Sequence, residues 1–242
     1  MRCQLAYVIG VDGCRDGWCA VSIHDERHNH RISDPTIYQF FQQVIASSAD
    51  LICVDIPIGL LDGLGQRPCD VEARKLLGWP RRNSVFTPPS RSVLNIRDHQ
   101  RANDANRDVS GRGLTQQAFA ISGKIAEVDS LLTPALQSRV YEVHPELCFW
   151  ALNDGRPMSH KKARLVGRME RWRVLRTVLP SLPEEPPRPR DLPDHCAVDD
   201  YVDALVAAWT ASCIARRSAD HIPSEPILDN RGLRMEMWLP SA

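Results

Sequence analysis

Leu51-Ile52-Cys53-Val54-Asp55-Ile56 is an apolar run interrupted by a single carboxylate. Closed by Pro57-Ile58-Gly59, it predicts a strand buried on both faces, as in the middle of a parallel sheet. Working back toward the N-terminus, residues 5–11 form a second short apolar run that ends in Asp12-Gly13. Beyond that turn, Trp18-Cys19-Ala20-Val21-Ser22-Ile23 predicts a partner strand joined as a hairpin. The polar residues 25–34 predict a loop, and residues 36–38 a third strand. Phe40, Phe41, Val44 and Ile45 recur at helical spacing, so residues 38–48 are expected as an amphipathic helix.

Toward the C-terminus, helices are expected at 70–77, 114–132, 161–179 and 197–216. In the last of these Val198, Val202, Leu205, Val206 and Trp209 form an apolar stripe. Residues 140–143 return to strand, and residues 233–239 predict a late one. Residues 79–97, rich in Pro, Arg and Ser, read as an ordered loop or a substrate-facing excursion, and the proline-rich residues 181–193 as an exposed connector. Antiparallel strands followed by strands alternating with helices predict an α/β protein with a mixed sheet flanked by helices.

The 242 residues suit one domain carrying an insertion. The expectation is a single domain over 1–242, with an inserted loop and helical region at about 60–135. Lys plus Arg number 30 and Asp plus Glu number 30. That balance argues against non-specific coating of nucleic acid but leaves room for a local basic patch. The apolar runs are strand-sized, and the first residues lack the pattern of a signal peptide, so a soluble, cytoplasmic protein with no membrane partner is expected. The eight cysteines form no CxxC pair, which fits reduced, partly buried thiols better than a zinc site.

The carboxylates carry the chemistry. Asp12 and Asp55 each end an apolar strand, and in a parallel pair both reach the carboxyl edge where α/β sheets bind ligands. Two adjacent buried acids are costly without a counter-charge, and Mg²⁺ or Mn²⁺ is the natural one. Either acid alone is equally well explained as a turn or helix cap. In Val140-Tyr141-Glu142-Val143-His144, alternation puts Glu142 and His144 on one side. Glu146 after Pro145 reads as an acid at a helix N-terminus. Asp199, Asp200 and Asp203 open the last helix. The first two suit capping, whereas Asp203 lies one turn in and has no capping duty. Three or four such acids would support two-metal phosphoryl transfer.

The chain resembles the domain-of-unknown-function 429 family, described as predicted nucleases of ribonuclease H-like fold. The segments that carry the resemblance are Ile9 through Trp18, Val54 through Leu60, and Arg67 through Arg74. Ser84 through Arg91, Tyr141 through Glu146, Asp199 through Leu205 and Gly232 through Trp238 complete it. It implies a ribonuclease H-like mixed sheet. In such enzymes acids sit on the first strand, the fourth strand and the last helix, and Asp12, Asp55 and Asp203 match those places. The acid on the first helix has no counterpart here, where Gln42 and Gln43 stand. Glu142 is expected to substitute for it, with Asp200 as a further metal ligand.

On this reading the substrate is a nucleic-acid phosphodiester, DNA or RNA. Residues 156–176 hold eight Lys or Arg and one acid, Glu170. With Arg81, Arg82 and Arg91 they are expected to contact phosphates, although a solvated helix face explains the stretch as well. Arg91, Ser90 and His144 are the expected substrate-binding residues. Trp79, Trp150 and Trp172 are expected in the core rather than stacked on bases. Two other functions compete: a nucleotide phosphotransferase like actin or the sugar kinases, loosely fitted by Asp12-Gly13, and a non-catalytic binding protein of the same fold.

Overall fold

The computed structural model describes residues 6–26 and 29–241. Cys3 and Leu5, placed above among the thiols and in the first apolar run, lie outside the described residues. Strands β1 (Tyr7–Cys14) and β2 (Gly17–Glu26) pair antiparallel around the turn Arg15-Asp16, with Asp12 opposite Cys19. Strands β3 (Asn29–Ile32) and β4 (Thr36–Tyr38) both pair antiparallel with β2. On the other side of β1 lies β5 (Leu51–Val54), parallel to it, and beyond β5 lies β6 (Val140–Glu142), again parallel. The sheet therefore runs β3-β2-β1-β5-β6, with β4 attached to β2 off that path.

The hairpin, the strand at 36–38, the buried parallel strand and the return at 140 are all present. Within residues 25–34, expected as a loop, Asp25 and Glu26 instead continue β2, and Asn29–Ile32 form β3. Their polarity belongs to an edge strand, where charged residues discourage pairing with another chain.

The helices are α1 (Phe41–Ile45), α2 (Pro68–Leu77), α3 (His99–Ser110), α4 (Gln116–Ala120), α5 (Ser122–Leu131), α6 (Pro145–Leu152), α7 (Leu165–Val178) and α8 (Val198–Ala215). Strands β7 (Ala219–Leu228) and β8 (Arg234–Pro240) form a separate two-stranded sheet. Helix α1 is much shorter than residues 38–48, because Thr36–Tyr38 is taken by β4. At its other end the guanidinium of Arg139 gathers the carbonyls of Ile45, Ser47 and Ala49 at 2.9, 2.6 and 2.8 Å. The helix expected over 114–132 breaks at Ile121, where the Ser122 hydroxyl donates to the Ala118 carbonyl at 3.0 Å. Helix α3 escapes the sequence because its buried residues are Ala102 and Asn106, which make no apolar stripe. Strand β7 escapes it because Pro223 and Pro226 argue against a strand.

The chain folds into two compact units. One contains residues up to Asp55, Arg139–Asp220 and the chain from Trp238, and holds the six-stranded sheet. The other contains Ile56–Ser138 and His221–Met237, taking in the region expected as an insertion. Its small core gathers Val93, Ala102, Leu114 and Ala118.

Helix α8 is the centre of the first unit. It is buried on nearly every side from Tyr201 to Cys213, as an interior helix must be to be apolar all round. Its approach to β1 depends on Gly10. A Cβ there would lie 2.0 Å from the Ala208 nitrogen and 2.1 Å from the Ala204 carbonyl oxygen. Gly10 on the strand and alanines on the helix thus let two backbones nearly touch. No helix among the described residues is long and apolar enough to cross a membrane.

Candidate functional site

The register places the acids. Val11 pairs with Val54 between β1 and β5, and the Asp55 N–H donates to the Val11 carbonyl at 3.1 Å. The next residues, Asp12 and Asp55, therefore lie side by side at the carboxyl ends of two parallel strands. Alternation along β1 puts Asp12 on the face of Gly10, the face that α8 covers. Cys53 pairs with Gly10, so Asp55, two residues on, shares that face. Asp203 comes to it from α8, one residue before the Ala204 that meets Gly10. Asp12 is 8% exposed and Asp203 only 2%, while Asp55 keeps partial access to solvent.

Burial raises the proton affinity of all three carboxylates, and neighbouring acids add to it. Asp12 is held well above the usual carboxylate range, first by burial and then by the charges of Asp55 and Asp203. Asp55 is also raised by burial, with Glu146 adding to the shift and His144 and Lys162 opposing it. Asp203 is pushed up to about 6 by burial, against the opposing pull of Lys162.

Lys162 is the cation that meets this charge. Its Nζ lies 2.5 Å from Asp203 Oδ2, and Asp203 foremost holds the ammonium protonated far above its ordinary value. Three residues of α7 fix the segment that carries it. Glu170 accepts the backbone N–H groups of Ser159 and His160 at 2.7 and 2.9 Å. Arg171 donates to the His160 carbonyl at 3.1 Å. Gly167 admits the backbone of Lys161, whose carbonyl oxygen lies 2.1 Å from where a Cβ would stand.

Glu146 is the acid that the sequence assigned to a helix terminus. It does open α6, after Pro145 in the first turn. It is also buried, its Oε1 is held by Arg171, and its charge acts on both Asp55 and Asp203. Its Oε2 is buried without a hydrogen-bond partner. A proline at the first helical position followed by an acid was the only local signal, and it describes a cap equally well.

Glu142 goes elsewhere. It pairs with Val54 in the β5–β6 ladder, and Val54 points away from the face of Asp55, so Glu142 is buried on the opposite side of the sheet. It does not join Asp12 and Asp55. His144 is buried at the N-cap of α6, close enough to Asp55 to favour its ionised form. Asp200 accepts the Ala197 N–H at 3.0 Å as a helix cap, and its charge also raises Asp12.

Arg91 and Ser90 lie in the second unit. Arg91 forms a paired contact with Asp129, Nε to Oδ2 and Nη2 to Oδ1, both at 3.0 Å, and also binds Asp229 and Asn230. Its donors are taken up inside the protein, where a phosphate contact had been expected. The Ser90 N–H donates to the buried Asn106 side chain at 2.9 Å. Within residues 156–176, Lys162 and Arg171 turn inward to the acids while Lys161, Arg164 and Arg173 are exposed. Trp172 is a core residue that donates to the Pro183 carbonyl at 3.0 Å. Trp79, expected in the core, is 79% exposed, in the loop that follows α2. The described cysteines are buried thiols with no disulfide among them.

The fold and the site define a mixed α/β protein with acids gathered where two parallel strands end under a buried helix. The chain belongs to the DUF429 family of proteins of unknown function, whose profile matches residues 10–227. Comparison with curated proteins and with solved structures gives no match.

Proposed function

We propose that this protein is a divalent-metal-dependent hydrolase of ribonuclease H-like architecture that cleaves a phosphodiester in nucleic acid. The observation that carries the reading is the charge balance of the cluster. Asp12, Asp55, Asp203 and Glu146 face two cations, Lys162 and Arg171, and burial, with the neighbouring acids adding to it, raises the three aspartates in pKa. Such a site must take up either protons or a further cation, and oxygen donors suit Mg²⁺ or Mn²⁺. The placement of the acids supports the architecture: one on β1, one at the end of the strand fourth along the sheet path, one on the last helix.

Asp12, Asp55 and Asp203 would hold the metal, with Asp200 and Glu146 at its margin. Bound there, the metal would activate water and neutralise charge on the leaving oxygen. The chain's own groups do the rest. Asp55 is the member with solvent access, so it meets water and substrate first. Lys162, anchored at Asp203 but 44% exposed, can turn its ammonium to a phosphate oxygen. Arg171 holds Glu146 in place.

The test is cleavage of labelled DNA, RNA and hybrid substrates with Mg²⁺ or Mn²⁺, comparing the native protein with Asp12→Asn. Metal-dependent cleavage that the substitution abolishes supports the reading and names the substrate. No cleavage, or equal cleavage by both proteins, overturns it.

A further inference from the structure

The sulfurs of Cys19 and Cys196 lie 3.1 Å apart although the residues are 177 apart in sequence. Both belong to the first unit, and both thiols are buried, with either able to donate to the other. Cys19 is fully buried in β2, directly across from Asp12 on β1. Cys196 is 7% exposed and lies outside regular structure, two residues before α8 begins. One sulfur sits in a strand of the sheet and the other in the connection that leads into α8. A disulfide is about 2.05 Å long, so roughly 1 Å of approach closes the gap.

We propose that Cys19 and Cys196 form a reversible disulfide, made by hydrogen peroxide, that pins the N-terminal turn of α8 to β2 beside Asp12. The Cys196 thiolate attacks a peroxide oxygen, the O–O bond breaks, and the leaving hydroxide takes up a proton as water. This leaves Cys196 as a sulfenic acid. The Cys19 sulfur then attacks the Cys196 sulfur, the S–O bond breaks, and the second oxygen leaves as water with the Cys19 proton. Two thiols are oxidised and one peroxide is reduced to two waters. A thiol reductant restores both cysteines by exchange.

The order of attack follows from access. Cys196 is 7% exposed and Cys19 is not exposed at all, so Cys196 meets the peroxide and Cys19 resolves it. Cys53, Cys148 and Cys213 are poor first nucleophiles. Burial pushes the Cys148 thiol up to about 12 and raises those of Cys53 and Cys213.

The reduced, full-length protein is treated with hydrogen peroxide, remaining thiols are alkylated, and peptides are mapped by mass spectrometry. The expected result is loss of two hydrogens, a linked peptide joining Cys19 to Cys196, and its disappearance with dithiothreitol. Cys196→Ser leaves Cys19 unlinked. The oxidised protein melts about 10 °C higher, because the bond closes a very long loop. A Cys196 sulfinic acid beside unmodified Cys19, links confined to other cysteines, or no loss of thiol each overturns the proposal. An unchanged melting temperature in the linked protein overturns the pinning.

Discussion

The ammonium of Lys162 lies 2.5 Å from the carboxylate of Asp203, an acid only 2% exposed. The pair exists only while Asp203 is ionised, above a pKa of about 6. Lys162→Met should therefore destabilise the metal-free protein by about 1–2 kcal/mol at pH 8, a modest value because the lysine is partly solvated. At pH 5 the cost should nearly vanish, since Asp203 is then protonated. Urea unfolding at the two pH values checks this. Equal costs at both would show that Lys162 acts through packing alone.

The aspartates give the metal-free protein a distinctive pH dependence. Asp203 and Asp12 have folded pKa values raised above those of the unfolded chain. Their protonated forms favour folding, so that contribution is complete below about pH 4 and is lost as pH rises through each folded value, about 6 for Asp203. For Asp203 it amounts to about 2–3 kcal/mol. Asp12→Asn removes one of the repelling charges and should raise the melting temperature at pH 8 by about 2–6 °C without metal. The same variant should lose most of the stabilisation that Mn²⁺ gives the native protein. Stabilisation by ATP without metal dependence would point instead to a nucleotide phosphotransferase.

Glu146 and Arg171 should behave as a buried pair. Arg171→Met leaves the carboxylate without its partner and should cost about 3–5 kcal/mol. Adding Glu146→Gln should recover part of that loss. A double variant no more stable than Arg171→Met would show that the arginine matters chiefly for holding the His160 and Gly167 carbonyls, which it also binds.

Gly10→Ala should disrupt the first unit, because its new methyl meets the backbone of α8 rather than a side chain that could turn aside. A loss of about 3 kcal/mol or more is expected, at the upper end of overpacking costs. A soluble variant with native stability would mean that α8 and β1 can separate without penalty.

Arg91→Ala should destabilise the second unit by about 2–4 kcal/mol, since Asp229 loses its arginine and Asp129 is left with Arg231 alone of its two. Although burial pushes Asp229 upward, hydrogen bonds led by Arg91 hold it below the usual carboxylate range. Its stabilising contribution is present above about pH 4 and is lost as pH falls through its depressed folded value. Acid unfolding of the variant should begin at higher pH than in the native protein. Weakened nucleic-acid binding with unchanged stability would restore the role expected from sequence.

The sequence by itself determined the strands around Asp12 and Asp55 and the helix of Asp203, because apolar runs and helical spacing are local properties. It also placed Asp12 and Asp55 together, since two parallel strands ending in an acid can do little else. Tertiary structure decided the remainder. Glu142 and Glu146 are four residues apart, and only the β5–β6 register and the turn into α6 send one to the far face and the other to the cluster. The basic stretch at 156–176 looked like a phosphate-binding face, but Lys162 and Arg171 reach acids on other elements. Arg91 finds its partners at residues 129 and 229, and Cys19 finds its own at 196. Partners that distant leave no periodicity for a sequence to display: they meet because strand pairing and helix packing remove both side chains from water and leave each as the other's available partner.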